Sequence, residues 1–349
     1  MISVAIKSFV FFVSHTVGKR YPGLGRWRWT LVFTGLTLIF AFSLGFSHES
    51  AARDAVIGYS GRTVAEMPFA WASRKGFFKE ANLDVKMIYM STSIAAKGLM
   101  SGDVDYSTAM GGALRAAIAG APIVGIYSMF KAQMYLVSQG KYKQVGDLKG
   151  KTVGISVFGG AYDLVARTIL KHHGLDPEKQ VTLLQIGDSR TLYSALMAGT
   201  IDSAILGPPY DIKAELEGAN RLFDSSEIFD MPFSGLATSK KKLQQDRAEV
   251  KAIVRGLERM RRYIAANRAE AETFAKQFLN LNDKEARLSI AQMVKSFRDT
   301  GRTTDEAVID FIDTTLKSTT QKAGTIKPND IVDWSVTTEV VRELDKEKK

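Results

Sequence analysis

Several short segments of the sequence combine glycine, hydroxyl and charged side chains that could bind a small ligand. They are Ser60-Gly61-Arg62, Ser91-Thr92-Ser93, Met110-Gly111-Gly112, Phe158-Gly159-Gly160 and Gly187-Asp188-Ser189. Each lies where a predicted strand leads toward a predicted helix. A helix N-terminus carries N–H groups without intrahelical partners and partial positive charge, and glycine lets a ligand approach the backbone closely. These segments predict that backbone amides can hold an anion.

The candidate ligand-binding residues come from these segments and from one tyrosine further along the chain. They are Ser60, Arg62, Ser91, Thr92, Ser93, Gly111, Gly112, Phe158, Gly159, Gly160, Asp188 and Tyr210. Arg62 could pair with an anionic ligand, although a solvated loop arginine is the alternative. Asp188 would favour a ligand amine or ring N–H if it faced the ligand, and it is equally suited to capping a helix.

Other candidates have structural alternatives as well. Ser91–Ser93 precede a predicted helix, so ordinary capping explains at least one of them. Gly159-Gly160 open a helix at the equivalent place in the second half of the chain. Phe158 and Tyr210 could stack on a planar ligand. Pro208-Pro209 predicts an extended turn before Tyr210. Because no helix is expected at this position, the Tyr210 side chain should not be packed as part of a helix.

Nucleophilic catalysis and soft-metal binding lack suitable side chains in this sequence. It has no cysteine, and its histidines are His15, His48, His172 and His173. The last two end a predicted helix beside Gly174, where a cation complements the helix dipole. We therefore expect no catalytic residue, no cofactor and no metal ion. An enzyme that uses only aspartate or arginine stays as an alternative.

The elements that position these segments repeat at an offset of 97 residues. Leu99-Met100-Ser101-Gly102-Asp103-Val104-Asp105 matches Leu196-Met197-Ala198-Gly199-Thr200-Ile201-Asp202, with Leu, Met, Gly and Asp in register. Each copy alternates strands and helices, which indicates parallel α/β sheets. Predicted helices that end at Gly76 and Gly174 agree with this alternation of strands and helices. One larger doubly wound sheet is the alternative to two similar lobes.

We expect the first lobe to comprise residues 53–131 with 240–349, and the second lobe residues 132–239, including the hinge crossings. Two crossings of the chain would let the lobes move against each other. From Lys240 onward the sequence predicts amphipathic helices that return to the first lobe. The charged tail Glu339–Lys349 is expected to be solvated.

Residues 1–52 are predicted to form an export leader. Trp29–Phe46 carries no charge, follows Arg26 and Arg28, and precedes a short polar stretch. Cleavage near Ser50–Ala52 would start the mature chain near Arg53, and an uncleaved membrane anchor is the alternative. Outside the leader 42 basic residues face 36 acidic ones. This mild excess, without a basic patch interleaved with aromatics, excludes nucleic acid as an expected partner.

Several motifs between Ala55 and Phe223 resemble one known family, the substrate-binding proteins of ABC importers, in the branch for nitrate, alkanesulfonates, taurine and thiamine-pyrimidine precursors. The resemblance lies in their order and spacing. The motifs are Pro68-Phe69-Ala70-Trp71-Ala72, the run from Lys75-Gly76-Phe77-Phe78 to Val85, Gly146–Ile155, Gly199–Ala204 and Gly207-Pro208-Pro209-Tyr210.

The resemblance implies an α/β fold of two parallel-sheet lobes, the periplasmic binding protein fold of type II-like form, with a two-crossing hinge and extra C-terminal helices. It implies a monomeric periplasmic receptor, or one held at the inner membrane if the leader is uncleaved. The receptor would close on a small solute and deliver it to a permease coupled to an ATPase subunit. An anionic organic solute, sulfonate-like or a carboxylate, is the preferred ligand.

Three other functions stay open. A thiamine-pyrimidine precursor or another heterocycle could bind by the same mechanism. The fold also hosts enzymes, among them a pyrimidine synthase and menaquinone-pathway enzymes. An anchored sensor domain would need a cytoplasmic signalling module, and the 28 residues before Trp29 are too few for one.

Overall fold

The computed structural model describes residues 53–228, 230–232, 234–317 and 326–347. The predicted leader, residues 1–52, lies outside these ranges. Within them, no helix is both long and apolar enough to cross a membrane.

The strands form two five-stranded sheets, and the order of the strands is equivalent in both. In chain order the strands are β1 (Arg53–Tyr59), β2 (Leu83–Tyr89), β3 (Tyr106–Ser107), β4 (Ile123–Tyr127), β5 (Tyr135–Ser138), β6 (Thr152–Ile155), β7 (Thr182–Gln185), β8 (Ser203–Leu206), β9 (Asn220–Asp224) and β10 (Leu236–Ser239). The first sheet has the order β2-β1-β3-β10-β4, and the second has the order β7-β6-β8-β5-β9. The prediction of two similar lobes is confirmed, and a single larger sheet is excluded.

Each sheet contains one antiparallel strand, which the prediction of parallel sheets did not include. The repeated strands pair in parallel, β1 with β2 and β3, and β6 with β7 and β8. In contrast, β10 is antiparallel to β3 and β4, and β5 is antiparallel to β8 and β9. The expectation of purely parallel lobes is therefore wrong in this respect. Each antiparallel strand is the first one after a crossing, so it enters its sheet from the opposite edge.

The chain crosses between the sheets after β4 and again after β9, which confirms the two-crossing hinge. Tyr135 starts β5 opposite Leu206, at the carboxyl end of β8. Leu236 starts β10 opposite Tyr127, at the carboxyl end of β4. Both crossings thus join the carboxyl edges of the parallel strands, which brings these edges together. The second lobe ends earlier than expected, because Leu236–Ser239 belongs to the first sheet.

Helices surround both sheets. They are α1 (Met67–Arg74), α2 (Thr92–Ser101), α3 (Met110–Ile118), α4 (Ala161–His172), α5 (Ser189–Met197), α6 (Tyr210–Leu216), α7 (Lys240–Gln245), α8 (Arg247–Ala266), α9 (Arg268–Leu279), α10 (Asp283–Ser296), α11 (Asp305–Lys317), α12 (Pro328–Ile331) and α13 (Ser335–Lys346). Gly76 and Gly174 follow α1 and α4 with positive φ, as their helix-ending role requires.

Helices α8 and α13 cover the first lobe, whereas α10 also contacts the second lobe, where Gln292 donates to Asp211 of α6 at 2.9 Å. Helix α8 buries apolar side chains at helical spacing, namely Val250, Ile253, Val254, Leu257, Met260 and Ile264. These side chains share one core with residues of β1 and β2. Trp71 is 3% exposed and stacks on Phe274 with ring centroids 4.9 Å apart, so it belongs to this core.

The C-terminal tail is packed on the first lobe, which contradicts the expectation that it is solvated. Val336, Val340 and Leu344 of α13 are buried. On the flank of this apolar stripe, Lys251 of α8 forms ion pairs with Glu339 at 2.6 Å and Glu343 at 2.7 Å. The many charged residues of the tail predict exposure to solvent. This prediction fails because the charged residues alternate with apolar ones at helical spacing, so that one face of the helix is apolar.

Candidate functional site

The two lobes touch where the carboxyl edges of their sheets meet. The N–H of Val64 donates to the carbonyl of Pro208 across 3.2 Å. Val64 lies in the loop between β1 and α1, and Pro208 lies in the loop between β8 and α6. Ligands of open α/β sheets bind in the crevice beyond the carboxyl ends of the strands. The cleft beside this contact is therefore the candidate site.

On the second lobe, two helix N-termini are tied together at the cleft. The hydroxyl groups of Tyr162, in the first turn of α4, and Ser189, the first residue of α5, are 2.7 Å apart. A side chain at Gly207 would crowd this region, because its Cβ would lie 3.5 Å from the Tyr162 hydroxyl and 2.8 Å from the carbonyl of Gln133. Glycine here lets the first crossing pass close to the lobe.

On the first lobe, a buried carboxyl group lies between the ends of two strands. Glu66 is 8% exposed, and its Oε1 accepts a hydrogen bond from the Thr108 hydroxyl at 2.9 Å. Among the residues that the structure describes, no hydrogen bond of normal geometry reaches its Oε2, although the backbone of Ser60 lies close to the carboxylate. Burial raises the pKa of Glu66 to about 7, although Thr108 and the backbone of Ser60 favour the charged form.

A half-buried cation, Arg115, lies beside the N-termini of α2 and α3. A Cβ added to Gly112 would be 1.9 Å from Cγ2 of Thr92 and 3.9 Å from Nη2 of Arg115, so the guanidinium reaches back toward these N-termini. Its Nη1 is buried without a hydrogen-bond partner in the described part of the chain. Burial lowers the pKa of the Arg115 guanidinium, and no charged neighbour offsets this effect.

The serines of the first lobe take the capping role that was the alternative to ligand contact. Ser91 is the N-cap of α2 and accepts from the N–H of Ile94 at 3.4 Å, and its hydroxyl lies 3.2 Å from that of Ser93. Ser60, which follows β1, and Ser93, in the first turn of α2, are both exposed. Contact between these hydroxyls and a ligand stays a prediction.

Gly111 and Gly112 begin α3, and one of them has a packing role. The 1.9 Å approach between a Cβ at Gly112 and Thr92 leaves no room for any larger residue. Thr92 is accordingly half-buried against the glycine. Gly111 is buried in the same turn. The close approach of α2 and α3 explains Gly112 without a ligand.

Arg62 has a contact of its own in the structure. Its guanidinium lies over the ring of Phe278, 5.5 Å from the centroid, at the end of α9. A cation over an aromatic face is a favourable contact in its own right. Binding of an anion by Arg62 stays a prediction, with Arg115 as the better placed cation.

On the second lobe, the glycine segment before α4 forms a tight turn. Gly159 has φ +71°, and its N–H donates to the Asp163 carboxylate at 2.8 Å. Gly160 is the N-cap of α4, with no side chain available for capping. Phe158 is 53% exposed, and its N–H donates to the Gln185 side chain at 3.0 Å. Phe158 is thus free to contact a solute.

Asp188 caps a helix. Its carboxylate accepts from both the N–H and the hydroxyl of Thr191, at 2.9 and 2.8 Å. The hydrogen bond from the Thr191 N–H lowers the pKa of Asp188 despite partial burial. Because Oδ1 of Asp188 already accepts two hydrogen bonds, fewer acceptor positions are left for a ligand amine. Contact between Asp188 and a ligand stays a prediction.

The prediction that no helix follows Pro208-Pro209 is wrong, because Tyr210 is the first residue of α6. Proline is compatible with the start of a helix, where its missing N–H is not needed. Tyr210 is 9% exposed, and its hydroxyl accepts from Nε of Arg190 at 3.2 Å. Its ring packs against Tyr193. These partners make it a poorer stacking surface than expected.

The structure adds Glu66 and Arg115 as candidates, which the sequence analysis did not include. Each is a single charged residue within a run of small and apolar ones, Val64–Ala72 and Gly111–Ala121. An isolated charge on an otherwise apolar helix was the signal that could have found them, since burial of a charge needs a partner.

The fold and the cleft define the class of the protein: it has the two-lobed periplasmic binding protein fold. The alkanesulfonate-binding protein SsuA from Xanthomonas axonopodis pv. citri, solved with MOPS bound, shares this fold with a TM-score of 0.62 and 17% identity. The alignment covers 76% of this chain and 91% of that protein.

Within this class, the chain belongs to the NMT1/THI5-like family, whose profile matches residues 65–271, more than half of its length. A putative binding protein of Brucella abortus is 26% identical over 287 residues, which cover 78% of this chain and 88% of the relative. The 4-amino-5-hydroxymethyl-2-methylpyrimidine phosphate synthase of Candida albicans is 32% identical over 146 residues, which cover 40% of this chain and 41% of the enzyme.

Proposed function

We propose that this protein is the periplasmic solute receptor of an ABC importer that binds a small anionic organic solute, a sulfonate or a carboxylate. It would deliver the solute to a membrane permease, which is coupled to an ATPase subunit. One observation carries the choice of an anion: the half-buried Arg115 has a buried Nη1 without a hydrogen-bond partner within the described ranges, and its guanidinium lies beside two helix N-termini.

An anion in the cleft would supply what Arg115 lacks. A buried cation without a counter-charge is costly, and a carboxylate or sulfonate both pairs with it and accepts its hydrogen bonds. The N-termini of α2 and α3 add partial positive charge at the same place. The alkanesulfonate bound by a protein of the same fold is consistent with this choice.

An organic part of the solute would contact apolar side chains at the carboxyl edges. Tyr89 at the end of β2 is 65% exposed and packs edge-on against Tyr59, with centroids 5.8 Å apart. Ile94 and Phe158 are also more than half exposed. Such side chains also suit a planar heterocycle, so a thiamine-pyrimidine precursor is the second candidate solute.

An enzyme is the rival class, favoured by the partial similarity to the pyrimidine phosphate synthase. His172 and His173 end α4, whereas the cleft lies at its N-terminus, Gly160. In the part of the chain that the structure describes, the cleft therefore has no histidine for proton transfer. This distribution supports a binding protein over a catalyst.

Release and uptake would follow from hinge motion. A solute that contacts both lobes binds the closed form more tightly than the open form. Its binding shifts the equilibrium toward the closed form, by an amount set by the ratio of the two affinities. Arg298 would be central to this motion because its side chain forms hydrogen bonds with both segments that cross between the lobes. Its Nε donates to the carbonyl of Phe130 at 3.0 Å in the first crossing, and its Nη1 donates to Asp230 at 3.0 Å in the second.

Export to the periplasm is part of the proposal. Strand β1 begins at Arg53, so cleavage near Ala52 would leave the first sheet intact. Intact-mass measurement of the exported protein, with fractionation, tests this. Recovery of the full-length chain in salt-washed membranes would identify an uncleaved anchor.

The decisive test of the function is a thermal-shift screen of the chain from Arg53 onward. A solute that binds only the folded state raises the melting temperature with concentration. The set should contain sulfonates, carboxylates, nitrate and pyrimidines. A response to sulfonates or carboxylates is expected. A response to pyrimidines alone would favour the second candidate, and turnover of any hit would indicate an enzyme.

A further inference from the structure

We propose that the first lobe carries a second anion site, outside the set of cleft residues, which binds a phosphate monoester. The site is an open cavity of about 340 Å³ between α13 and the loop that joins α10 to α11. Three cations line it, namely Arg302 of the loop and Arg342 and Lys346 of α13. None of the lining residues is a candidate of the cleft, so the inference does not depend on the solute that the cleft binds.

The acids of α13 are already paired with cations of α8. Lys251 forms ion pairs with Glu339 at 2.6 Å and Glu343 at 2.7 Å. Asp345, the acid that lines the cavity, pairs with Arg262 at 2.8 Å. The charges of this helix are therefore separated onto two faces. The acidic residues are matched by α8, and they do not neutralise the cations of the cavity.

The three cations of the cavity have no counter-charge in the described part of the chain. Arg342 and Lys346 lie one turn apart on α13, a spacing at which like charges repel each other. Neither they nor Arg302 form an ion pair or a side-chain hydrogen bond with a described residue. The helix dipole favours cations in a last turn, but this effect does not account for Arg302, which lies on another segment. A bound dianion would offset the repulsion.

The loop that carries Arg302 is fixed against α13 and the end of β4. Gly301 has φ +63°, and a Cβ added to it would lie 2.7 Å from Cε2 of Tyr127 and 2.8 Å from Cγ2 of Thr337. Its carbonyl accepts from the N–H of Ser128 at 2.8 Å. Glycine permits both the positive φ and this close packing. The backbone at Arg302 is therefore positioned before an anion binds, which lowers the entropic cost of binding.

The donors of the cavity suit a phosphate monoester. A guanidinium group binds phosphate oxygens through two parallel hydrogen bonds, and the cavity holds two such groups and one ammonium. The exposed Thr338 adds a hydroxyl group. Carboxylates and sulfonates carry one negative charge, whereas a phosphate monoester carries up to two. Small-ligand pockets have volumes of roughly 300 to 1,000 Å³, so this cavity has room for a small organic group beside Val341.

Titration calorimetry with glycerol 3-phosphate tests the inference, with glycerol as the matched probe that lacks the phosphate. In a phosphate-free buffer of low ionic strength at about pH 8, the wild type should bind glycerol 3-phosphate and not glycerol, and added salt should weaken the binding. Arg302→Gln and Arg342→Gln should each weaken it about threefold to tenfold, because hydrogen bonds to a charged group are strong but these side chains are exposed.

Two control variants locate the binding. Arg268→Gln removes an exposed arginine of α9 that does not line the cavity, and it should keep the wild-type affinity. Phosphate that bound in the cleft would respond to Arg115→Gln instead. Loss of binding in Arg115→Gln, with wild-type affinity in Arg302→Gln and Arg342→Gln, would overturn the second site and leave the proposed function standing.

Vesicles distinguish a soluble phosphate monoester from a lipid headgroup of the same chemistry. Cosedimentation is measured with phosphatidylcholine vesicles that contain phosphatidic acid, and vesicles of phosphatidylcholine alone report any other membrane binding. Binding that requires phosphatidic acid and that Arg302→Gln and Arg342→Gln weaken would assign the site to a lipid headgroup. Binding of glycerol 3-phosphate alone would assign it to a soluble ligand. Binding of neither would refute the site.

Discussion

Asp105 and Asp202 hold equivalent positions in the two lobes and make the same pair of hydrogen bonds. The carboxylate of Asp105 accepts from the N–H of Val56 at 2.9 Å, while its own N–H donates to the carbonyl of Val56 at 3.0 Å. Asp202 does the same with Thr152, at 3.0 and 3.1 Å. Both aspartates precede the third strand of their lobe, at the edge opposite the cleft. Their repetition is therefore structural.

Asp202→Asn should lower the free energy of unfolding by about 1 to 3 kcal/mol, because it weakens hydrogen bonds to a charged acceptor. Burial would raise the pKa of Asp202, but hydrogen bonds from Thr152 and Tyr142 outweigh it, and the pKa is lowered. The stabilisation is then present above the ordinary pKa of 3.8 and lost as the pH falls through the folded value. Urea unfolding at several pH values checks this, with the exposed Asp84→Asn as control.

Arg115→Gln should weaken binding of a sulfonate or carboxylate identified in the screen by about tenfold to a hundredfold, the loss of a charged hydrogen bond. Arg62→Ala should weaken it less, because Arg62 already lies over Phe278. Calorimetry on both variants separates the two arginines. A larger effect of Arg62 would restore the assignment made from the sequence and remove Arg115 from the site.

Gly112→Ala should destabilise the protein by about 1 to 3 kcal/mol, since the new Cβ overlaps Cγ2 of Thr92. Thr92→Ser removes that methyl group. In the Thr92→Ser background, Gly112→Ala should become neutral or stabilising by up to about 1 kcal/mol, as alanine is the better helix former. A double-mutant cycle measures this coupling. Additive effects would disprove the packing explanation.

Glu66 should make the empty protein less stable as the pH rises. The folded state binds the proton more tightly than the unfolded chain, because the pKa is raised from 4.5 to about 7. Stability is then greatest below pH 4.5 for this group and falls toward pH 7, by at most about 3 kcal/mol. Glu66→Gln should lack this fall. Urea unfolding of both chains at pH 5 and about 8 tests it.

Arg298→Ala should loosen the hinge, since one side chain bonds both crossings. We expect a loss of about 2 to 4 kcal/mol of stability and a larger radius of gyration in small-angle scattering of the empty protein. Arg302→Ala, at an exposed neighbouring position, is the control. An unchanged radius with reduced stability would limit Arg298 to a structural role.

The sequence by itself determined the repeat and the architecture that follows from it. Gly102 and Gly199 end equivalent helices with positive φ, and Asp105 and Asp202 follow at the same spacing. The repeat predicts strands over Leu83–Tyr89 and Ser203–Leu206, and these are the bounds of β2 and β8. These features depend on local backbone conformation and on apolar periodicity, which neighbouring residues encode.

Only the tertiary structure decided which partners the charged side chains near the cleft and the crossings have. Glu66 reaches Thr108 over 42 residues of sequence, and Arg298 reaches Phe130 over 168. The antiparallel strands β5 and β10 also depend on where each crossing enters its sheet. Side chains at such separations are brought together by chain topology, and burial then sets the cost of an unpaired charge. Neither quantity is contained in local sequence, so Glu66 and Arg115 became recognisable only in the folded chain.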